Sequence, residues 1–203
     1  MKVAIWVAVV GLTAGIASTL LKAEESAVGQ PAPDFSLPDT HGQTNTLASF
    51  KGKFVVLEWT NYQCPFVKKH YGTGRMQMLQ KLYTDKGVIW LSINSSAPGK
   101  EGNFAPEKWN EMIAEKGTAA TAVLLDPDGK VGRLYGAKST PHMFVINPEG
   151  VLIYRGAIDD KPTFDPADIQ TARNYVQMAL DAAMAGKPVE TPSTQSYGCG
   201  VKY

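Results

Sequence analysis

The sequence has few of the residues that build disulfide scaffolds or nucleic-acid surfaces. It holds two cysteines among its 203 residues, Cys64 and Cys199, which are too few for a fold held together by several disulfides. Basic and acidic residues nearly balance, with 20 Lys and Arg against 19 Asp and Glu, and no basic block is present, so nothing indicates nucleic-acid binding. No internal repeat is visible. The two cysteines therefore point to chemistry rather than to architecture.

One long apolar run is present, at the N-terminus. It extends from Val3 to Leu21, follows Lys2 and ends at an abrupt polar boundary, a pattern typical of a secretory signal. Cleavage after Ala17 or after Ala23 fits the pattern. The run is also close to the length of about 20 residues that spans a bilayer, so an uncleaved anchor stays an alternative. Either alternative predicts an exported protein, periplasmic or secreted.

The predicted organisation has three parts. Residues 1–23 form the signal peptide or anchor, residues 27–188 form one folded domain, and residues 189–203 form a tail that carries Cys199. Membrane attachment is expected only if the N-terminal segment is retained. The sequence leaves open whether the chain assembles with itself.

The most informative stretch leads to the first cysteine. The apolar, β-branched run from Phe54 to Leu57 predicts a buried strand, and a polar turn then delivers Cys64 directly before Pro65. Proline suits the first turn of a helix because its missing N–H has no intrahelical partner there. Free amides and partial positive charge at a helix N-terminus lower the pKa of a thiol. We expect a reactive thiolate that is open to solvent; the alternative is a small buried residue or half of a structural disulfide.

The rest of the pattern predicts alternating helices and strands. A helix is expected from Cys64 to about Leu82, interrupted near Gly72 and Gly74, with four apolar residues facing inward: Met76, Met78, Leu79 and Leu82. A strand at Val88–Ile93 completes a parallel β-α-β unit, and two later strands form a hairpin around residues 147–150. A last helix is expected to be capped by Asp165 or Asp168, with Tyr175, Met178, Ala179 and Ala182 facing inward.

These features resemble the thioredoxin superfamily in its peroxiredoxin-like (redoxin) branch, the alkyl hydroperoxide reductase–thiol-specific antioxidant family. The strand that leads to Cys64 is similar to the family's strand before its nucleophilic cysteine, and Glu58 stands where the family has a buried acid. Thr140-Pro141 resembles the family's cis-proline loop. The resemblance implies an α/β fold: a single thioredoxin-like domain with a central mixed β-sheet flanked by helices and extra N-terminal strands.

The resemblance also assigns roles to residues. Cys64 becomes the nucleophile and Glu58 a proton relay, with its pKa raised by burial. Thr140 and Pro141 would present a backbone edge to an extended substrate. Two positions depart from the family: Val67 replaces the second cysteine of dithiol enzymes, and Asn61 replaces a threonine or serine of peroxiredoxins. Asn61 can still donate a hydrogen bond to a thiolate or to a peroxide oxygen.

Cys199 is the only internal partner available to Cys64. The tail from Pro188 to Cys199, extended at about 3.3 Å per residue, reaches about 35 Å, enough to meet Cys64 in the same chain or in a second copy. Such pairing would resolve a sulfenic acid or a mixed disulfide. A permanent structural disulfide and a free thiol are the alternatives.

Three functions remain open from the sequence. The leading one is an exported thiol oxidoreductase of the peroxiredoxin-like type, an antioxidant enzyme that uses Cys64 on a peroxide and depends on an external reductant. The second is a thiol–disulfide exchange enzyme acting on exported proteins. The third is a non-enzymatic redoxin-fold module, which could hold copper(I) through Cys64 and a histidine. His142, directly after Pro141, is a candidate for binding near the thiolate. No cofactor or resident metal is predicted. Peroxiredoxins also place an arginine against the thiolate, and Arg155 is the candidate for that position.

Overall fold

The computed structural model describes residues 26–203, so the predicted signal peptide at residues 1–23 lies outside the described residues. Within that range, no helix has both the length and the apolar character needed to cross a bilayer. The helices are α1 (Pro65–Gly72), α2 (Arg75–Thr84), α3 (Pro106–Lys116), α4 (Lys130–Tyr135) and α5 (Tyr175–Met184). The strands are β1 (Ser36–Pro38), β2 (Thr44–Thr46), β3 (Val55–Trp59), β4 (Ile89–Asn94), β5 (Ala122–Leu125), β6 (Ser139–Thr140), β7 (His142–Ile146), β8 (Leu152–Gly156) and β9 (Cys199–Gly200). Short 3-10 helices lie at Leu47–Phe50 and Pro166–Gln170.

A five-stranded mixed sheet forms the centre of the molecule, in the order β5-β4-β3-β7-β8. Strand β3 pairs in parallel with β4, and β4 in parallel with β5, which confirms the predicted β-α-β unit. Strands β7 and β8 form the predicted hairpin, and β7 runs antiparallel to β3. The strand that leads to Cys64 therefore lies in the middle of the sheet, buried on both faces.

The two faces of β3 build two separate cores because successive side chains of a strand point to opposite sides. Val56 belongs to the core that also contains Trp90 and Cys64. Leu57 and Trp59 belong to the opposite core, under the extra N-terminal strands β1 and β2. Cys64 thus follows a strand that is buried along its whole length.

The predicted inward face of the second helix is wrong in part. Met76 and Leu79 are buried as expected, but Met78 is 51% exposed and Leu82 is 39% exposed. Gly74, at a left-handed φ of 73°, separates α1 from α2, so α2 begins with a new rotational phase. Its buried stripe has the spacing i, i+3, i+4, i+7 and consists of Met76, Leu79, Gln80 and Tyr83.

The predicted start of the last helix is also wrong. Asn174 caps α5, since its side chain accepts a hydrogen bond from the Gln177 amide at 2.8 Å. Asp165 caps the preceding 3-10 helix instead. Met178, which was expected to face inward, is 42% exposed, and the buried face consists of Val176, Ala179 and Leu180.

Candidate active site

Cys64 lies at the N-cap of α1, directly before Pro65, as the sequence predicts. A turn brings it there: the Cys64 amide donates to the carbonyl oxygen of Asn61 at 3.0 Å. The expectation that its sulfur is open to solvent is wrong, because Cys64 is 0% exposed. The C-terminal tail lies over it, so the thiol is covered by a segment that comes from the far end of the chain.

The tail brings the second cysteine to the first. The Sγ atoms of Cys64 and Cys199 lie 2.6 Å apart, although 135 positions separate the residues in sequence. A disulfide bond is about 2.0 Å long, so a small movement would join the two sulfur atoms. Both cysteines are free thiols here, and Cys199 is partly exposed whereas Cys64 is buried. The two thiols therefore meet within a single chain.

The pKa values of the two thiols are shifted in opposite directions. Burial opposes ionisation of Cys64, but hydrogen bonds outweigh it, the largest from the Cys199 thiol, and the pKa of Cys64 is lowered. The other donors are the Thr140 side chain and the backbone amides of Val67 and Cys199. Burial and the negative charge of Cys64 raise the pKa of Cys199 to about 12. Of the two thiols, Cys64 is therefore the one that loses its proton first as pH rises.

The Thr140–Pro141 peptide bond is cis and lies beside the thiol. The Cys64 sulfur is 3.1 Å from the carbonyl oxygen of Thr140. Strand β6, which ends at Thr140, pairs antiparallel with β9 of the tail, with Thr140 opposite Cys199 and Ser139 opposite Gly200. The backbone edge predicted to receive a substrate is therefore occupied by the chain's own C-terminal segment.

Asn61 is buried beside the thiol turn, but its side chain faces a neighbouring loop. Its amide nitrogen donates to the Glu101 side chain at 3.2 Å, and its oxygen accepts from the Gln63 amide at 2.9 Å. Gly102 packs so closely that a Cβ there would come within 2.8 Å of the Asn61 side chain. In this arrangement Asn61 holds the loop at Glu101 and Gly102, and its amide donates to Glu101 rather than to Cys64.

Glu58 is completely buried in a polar cluster behind the thiol. Its carboxylate accepts four hydrogen bonds of 2.8 to 3.1 Å, from Trp90, Tyr71, Ser92 and Gln80. Burial raises the pKa of Glu58 even though these hydrogen bonds favour its charged form. No hydrogen bond of the described residues links Glu58 to Cys64, so its role as a proton relay stays a prediction.

Sequence reasoning missed a buried polar cluster that holds the tail just before Cys199. The hydroxyl group of Tyr197 donates to Asp159 and lies 3.4 Å from the Nε2 atom of His70. Asp159 is 2% exposed and His70 is 0% exposed. The Tyr197 ring also packs against Phe66, with ring centroids 5.8 Å apart. No motif or periodicity in the sequence indicated that Tyr197, His70 and Asp159 would meet.

Tyr197 is thus one anchor of the tail, and Tyr203, four residues after Cys199, is a second. Tyr203 donates its hydroxyl to the carbonyl oxygen of Ala137 at 2.8 Å, and the Arg133 guanidinium lies 4.5 Å from its ring centroid. Gly129 and Gly132 form the floor of this site, where a Cβ on either glycine would come within 2.5 Å of the tyrosine. Aromatic side chains on both sides of Cys199 therefore fix its position against Cys64.

Two further candidates from the sequence have structural partners. His142 accepts a hydrogen bond from the Lys138 amide at 3.2 Å and packs on Phe144, and burial lowers its pKa to about 3. It is therefore neutral at ordinary pH. Arg155, on β8, donates to the carbonyl oxygen of Ser26 at 2.7 Å. Among residues 26–203, no group of three or more His, Cys, Asp and Glu side chains is arranged to hold a metal ion.

The comparison with protein families agrees with this architecture. Residues 28–155 match the AhpC/TSA family. The chain belongs to the AhpC/TSA family. As a member, it carries the thioredoxin-like fold that the sequence predicted, with the mixed five-stranded sheet, the flanking helices and the extra N-terminal strands described above.

Curated relatives of this AhpC/TSA protein include thiol oxidoreductases. The thiol:disulfide interchange protein DsbE of Pseudomonas fluorescens is 32% identical over 137 residues, which cover 66% of this chain and 69% of that protein. The thiol-disulfide oxidoreductase ResA of Geobacillus thermodenitrificans is 30% identical over 125 residues, 61% of this chain and 66% of that protein.

Solved structures give the same result for the fold. A hypothetical protein from Sinorhizobium meliloti superposes with a TM-score of 0.74 at 27% identity, covering 89% of this chain and 96% of that one. A thiol:disulfide interchange protein DsbE from Chlorobium tepidum gives a TM-score of 0.57 at 25% identity, covering 79% of this chain and 99% of that one. The similarity to the first structure extends over nearly the whole of both chains.

Proposed function

We propose that this protein is an exported thiol–disulfide exchange enzyme in which Cys64 is the nucleophile and Cys199 is the resolving cysteine. The observation that carries the proposal is the 2.6 Å separation of the two sulfur atoms beside the Thr140–Pro141 loop. The DsbE and ResA relatives support exchange of disulfides over reduction of peroxides. Export is supported by the signal-like N-terminal sequence.

The proposed reaction has two exchange steps. The Cys64 thiolate attacks one sulfur of a substrate disulfide, a new S–S bond forms, and the other substrate sulfur leaves as a thiolate. Cys199 then gives its proton to that thiolate and attacks the Cys64 sulfur, which releases the second substrate sulfur as a thiolate that takes a proton from water. The products are a substrate dithiol and the Cys64–Cys199 disulfide. An external dithiol reduces this disulfide and is itself oxidised.

Other residues prepare the site for these steps. Thr140 and Pro141 supply the backbone edge on which an extended substrate pairs, once the tail has moved aside. Asn61 holds the loop that contains Glu101, so it shapes the entrance to the site. The position of Cys64 at the N-terminus of α1 stabilises its thiolate, which favours attack at neutral pH.

Reduction of peroxides, the leading prediction from the sequence, is the second candidate function. Membership in the AhpC/TSA family favours it, and Cys199 is close enough to condense with a sulfenic acid on Cys64. The same two cysteines would serve both reactions, so the distinction lies in the oxidant.

Turnover assays with two oxidants test the proposal. We expect the reduced protein, supplied with an external dithiol, to turn over a fluorescent mixed-disulfide reporter much faster than it consumes hydrogen peroxide. Cys64→Ser should abolish reporter turnover, and Cys199→Ser should stop the reaction at a mixed disulfide on Cys64. Rapid loss of peroxide with little turnover of the reporter would overturn the proposal in favour of the second candidate.

A further inference from the structure

The tail occupies the position that a substrate must take in the proposed reaction. A mixed disulfide places a substrate sulfur in bonding contact with the Cys64 sulfur, which is where the sulfur of Cys199 lies, 2.6 Å away. The chain around that sulfur would then follow the edge of β6, as β9 does. The contacts of the tail therefore describe the subsites that a substrate polypeptide would fill.

The residue just before the cysteine has almost no room. Gly198 has a φ of 132°, and a Cβ on it would overlap the carbonyl oxygen of Thr140. An L-residue with a side chain rarely adopts this backbone conformation, so both the conformation and the space require glycine here. A polypeptide that pairs with β6 in this register must therefore carry glycine before its cysteine.

The residue two positions before the cysteine enters a polar, aromatic subsite. The Tyr197 hydroxyl reaches the Asp159 carboxylate, and its ring packs against Phe66. His70 lies behind them, with its Nε2 atom 3.4 Å from the phenol oxygen and with no hydrogen-bond partner for its buried Nδ1 atom among the described residues. Because Asp159 is buried, removal of Tyr197 would leave this carboxylate without its hydroxyl donor. The subsite therefore selects an aromatic side chain with a hydroxyl group.

A third subsite lies four residues after the cysteine. The ring of Tyr203 lies against Gly129 and Gly132, and the Arg133 guanidinium covers it. Its hydroxyl donates to the carbonyl oxygen of Ala137. This subsite also takes a planar aromatic side chain with a hydroxyl group, since the absence of Cβ atoms on the two glycines makes room for the ring.

We propose that the groove along β6 is a peptide-binding site that selects extended polypeptides containing Tyr-Gly-Cys, with a second tyrosine four residues after the cysteine as a further contact. The proposal rests on the function proposed above and names the substrate class of that site. The chain's own tail is a permanently attached competitor. A substrate gains access by displacing it, and the subsites of Tyr197 and Tyr203 determine which polypeptides do so at a useful rate.

A single-turnover experiment with synthetic peptides tests the proposal. The protein is the full chain with Cys199→Ala, so that Cys64 is its only thiol. The substrate is a peptide of residues 196–203, Ser-Tyr-Gly-Cys-Gly-Val-Lys-Tyr, whose cysteine is joined to thionitrobenzoate. Attack by Cys64 on the peptide sulfur forms the mixed disulfide and releases coloured thionitrobenzoate, so the second-order rate constant is read from the absorbance.

Peptide variants separate the subsites without affecting the fold of the protein. We expect a decrease of at least about tenfold in the rate constant for peptides carrying Tyr197→Ala or Gly198→Ala, and a smaller decrease for Tyr203→Ala. A peptide carrying Tyr197→Phe should react more slowly than the parent peptide. This difference should shrink when the protein carries Asp159→Asn, which removes the charge that receives the phenol.

The possible outcomes are distinct. Equal rate constants for all the peptides, together with normal reaction of Cys64 with glutathione-thionitrobenzoate, would overturn the peptide site and leave the proposed exchange function intact. Failure of Cys64 to react with either the peptides or the small disulfide would overturn both. Ranked rates that follow the tail sequence would support both.

Discussion

Thr140 lies directly opposite Cys199 in a two-residue antiparallel pair, and this register brings the Cys199 sulfur to Cys64. The same pairing closes the backbone edge beside the cis-proline. In the proposed reaction, one segment would therefore control both the access to Cys64 and the supply of the second thiol. When the two sulfur atoms are bonded, that segment is tethered covalently; when they are reduced, hydrogen bonds and the two tyrosine anchors hold it.

Loosening the tail should expose Cys64. In the reduced protein we expect Tyr203→Ala to accelerate alkylation of Cys64 by iodoacetamide at least about tenfold, because opening of the tail limits access to a buried thiol. Tyr203→Phe, which removes only the hydrogen bond to Ala137, should have a smaller effect. Mass spectrometry of the Cys64 peptide gives the rate. Met184→Ala, at an exposed site, is the matched control, and an unchanged rate in Tyr203→Ala would show that the tail does not shield the thiol.

The oxidised protein should be attacked at Cys199. With the tail in place Cys64 is fully buried and Cys199 is partly exposed, so an external thiol reaches Cys199 first. Cleavage then releases Cys64, whose lowered pKa makes it the better leaving group. We expect brief treatment of the Cys64–Cys199 disulfide with glutathione, followed by acid trapping and peptide mapping, to show glutathione mainly on Cys199. A majority of adduct on Cys64 would contradict this direction of attack.

The pKa of Cys64 should depend on its thiol neighbour. Burial alone would raise this pKa, and the hydrogen bond from Cys199 is the largest of the contributions that lower it. We therefore expect Cys199→Ala to move the pH-rate profile of Cys64 alkylation to higher pH, and Cys199→Ser, which keeps a donor, to move it less. Profiles that coincide for the parent protein and Cys199→Ala would show that Cys199 does not stabilise the thiolate.

Glu58 should make the stability of the fold depend on pH. Burial raises its pKa above the ordinary 4.5, so the folded chain binds this proton more tightly than the unfolded chain does. The resulting stabilisation is complete below the unfolded pKa and is lost as pH rises through the folded pKa. Compared with Glu58→Gln, the parent protein should therefore lose free energy of unfolding in urea titrations as pH rises above the ordinary pKa of 4.5. Glu149→Gln, at an exposed site, is the control, and parallel pH profiles for the parent protein and Glu58→Gln would contradict the raised pKa.

Local features of the site could be predicted from the sequence because short-range rules govern them. The strand before Cys64, the turn and Pro65 together specify a helix N-terminus, and the structure has Cys64 at the N-cap. The parallel β3–β4 pair follows from the rule for β-α-β connections, whereas the cis bond before Pro141 was implied by the resemblance to the thioredoxin superfamily. The prediction was wrong where rotational phase mattered, as at Met78, because a glycine break resets the phase of the next helix.

The position of the C-terminal tail over Cys64 could not be predicted from the sequence, since it depends on contacts between residues that are distant in the chain. Chain length allowed Cys199 to reach Cys64, but it equally allowed contact between two copies. The subsites of Tyr197 and Tyr203 direct Cys199 to the Cys64 of the same chain. These subsites are built from residues on separate loops and helices, such as Asp159 and Gly132. No periodicity or motif marks those residues. As a result the sequence indicated an open thiolate, and the structure has a covered one.

The most direct test of the account is to identify the disulfide that forms when the reduced protein is equilibrated with oxidised glutathione. The protein is digested without reduction, and the linked peptides are identified by mass spectrometry, with Cys64→Ser and Cys199→Ser as controls. The account predicts a monomer with one intramolecular bond between Cys64 and Cys199, absent from both controls. Stable glutathione adducts on the separate cysteines, or a disulfide between two chains, would contradict it.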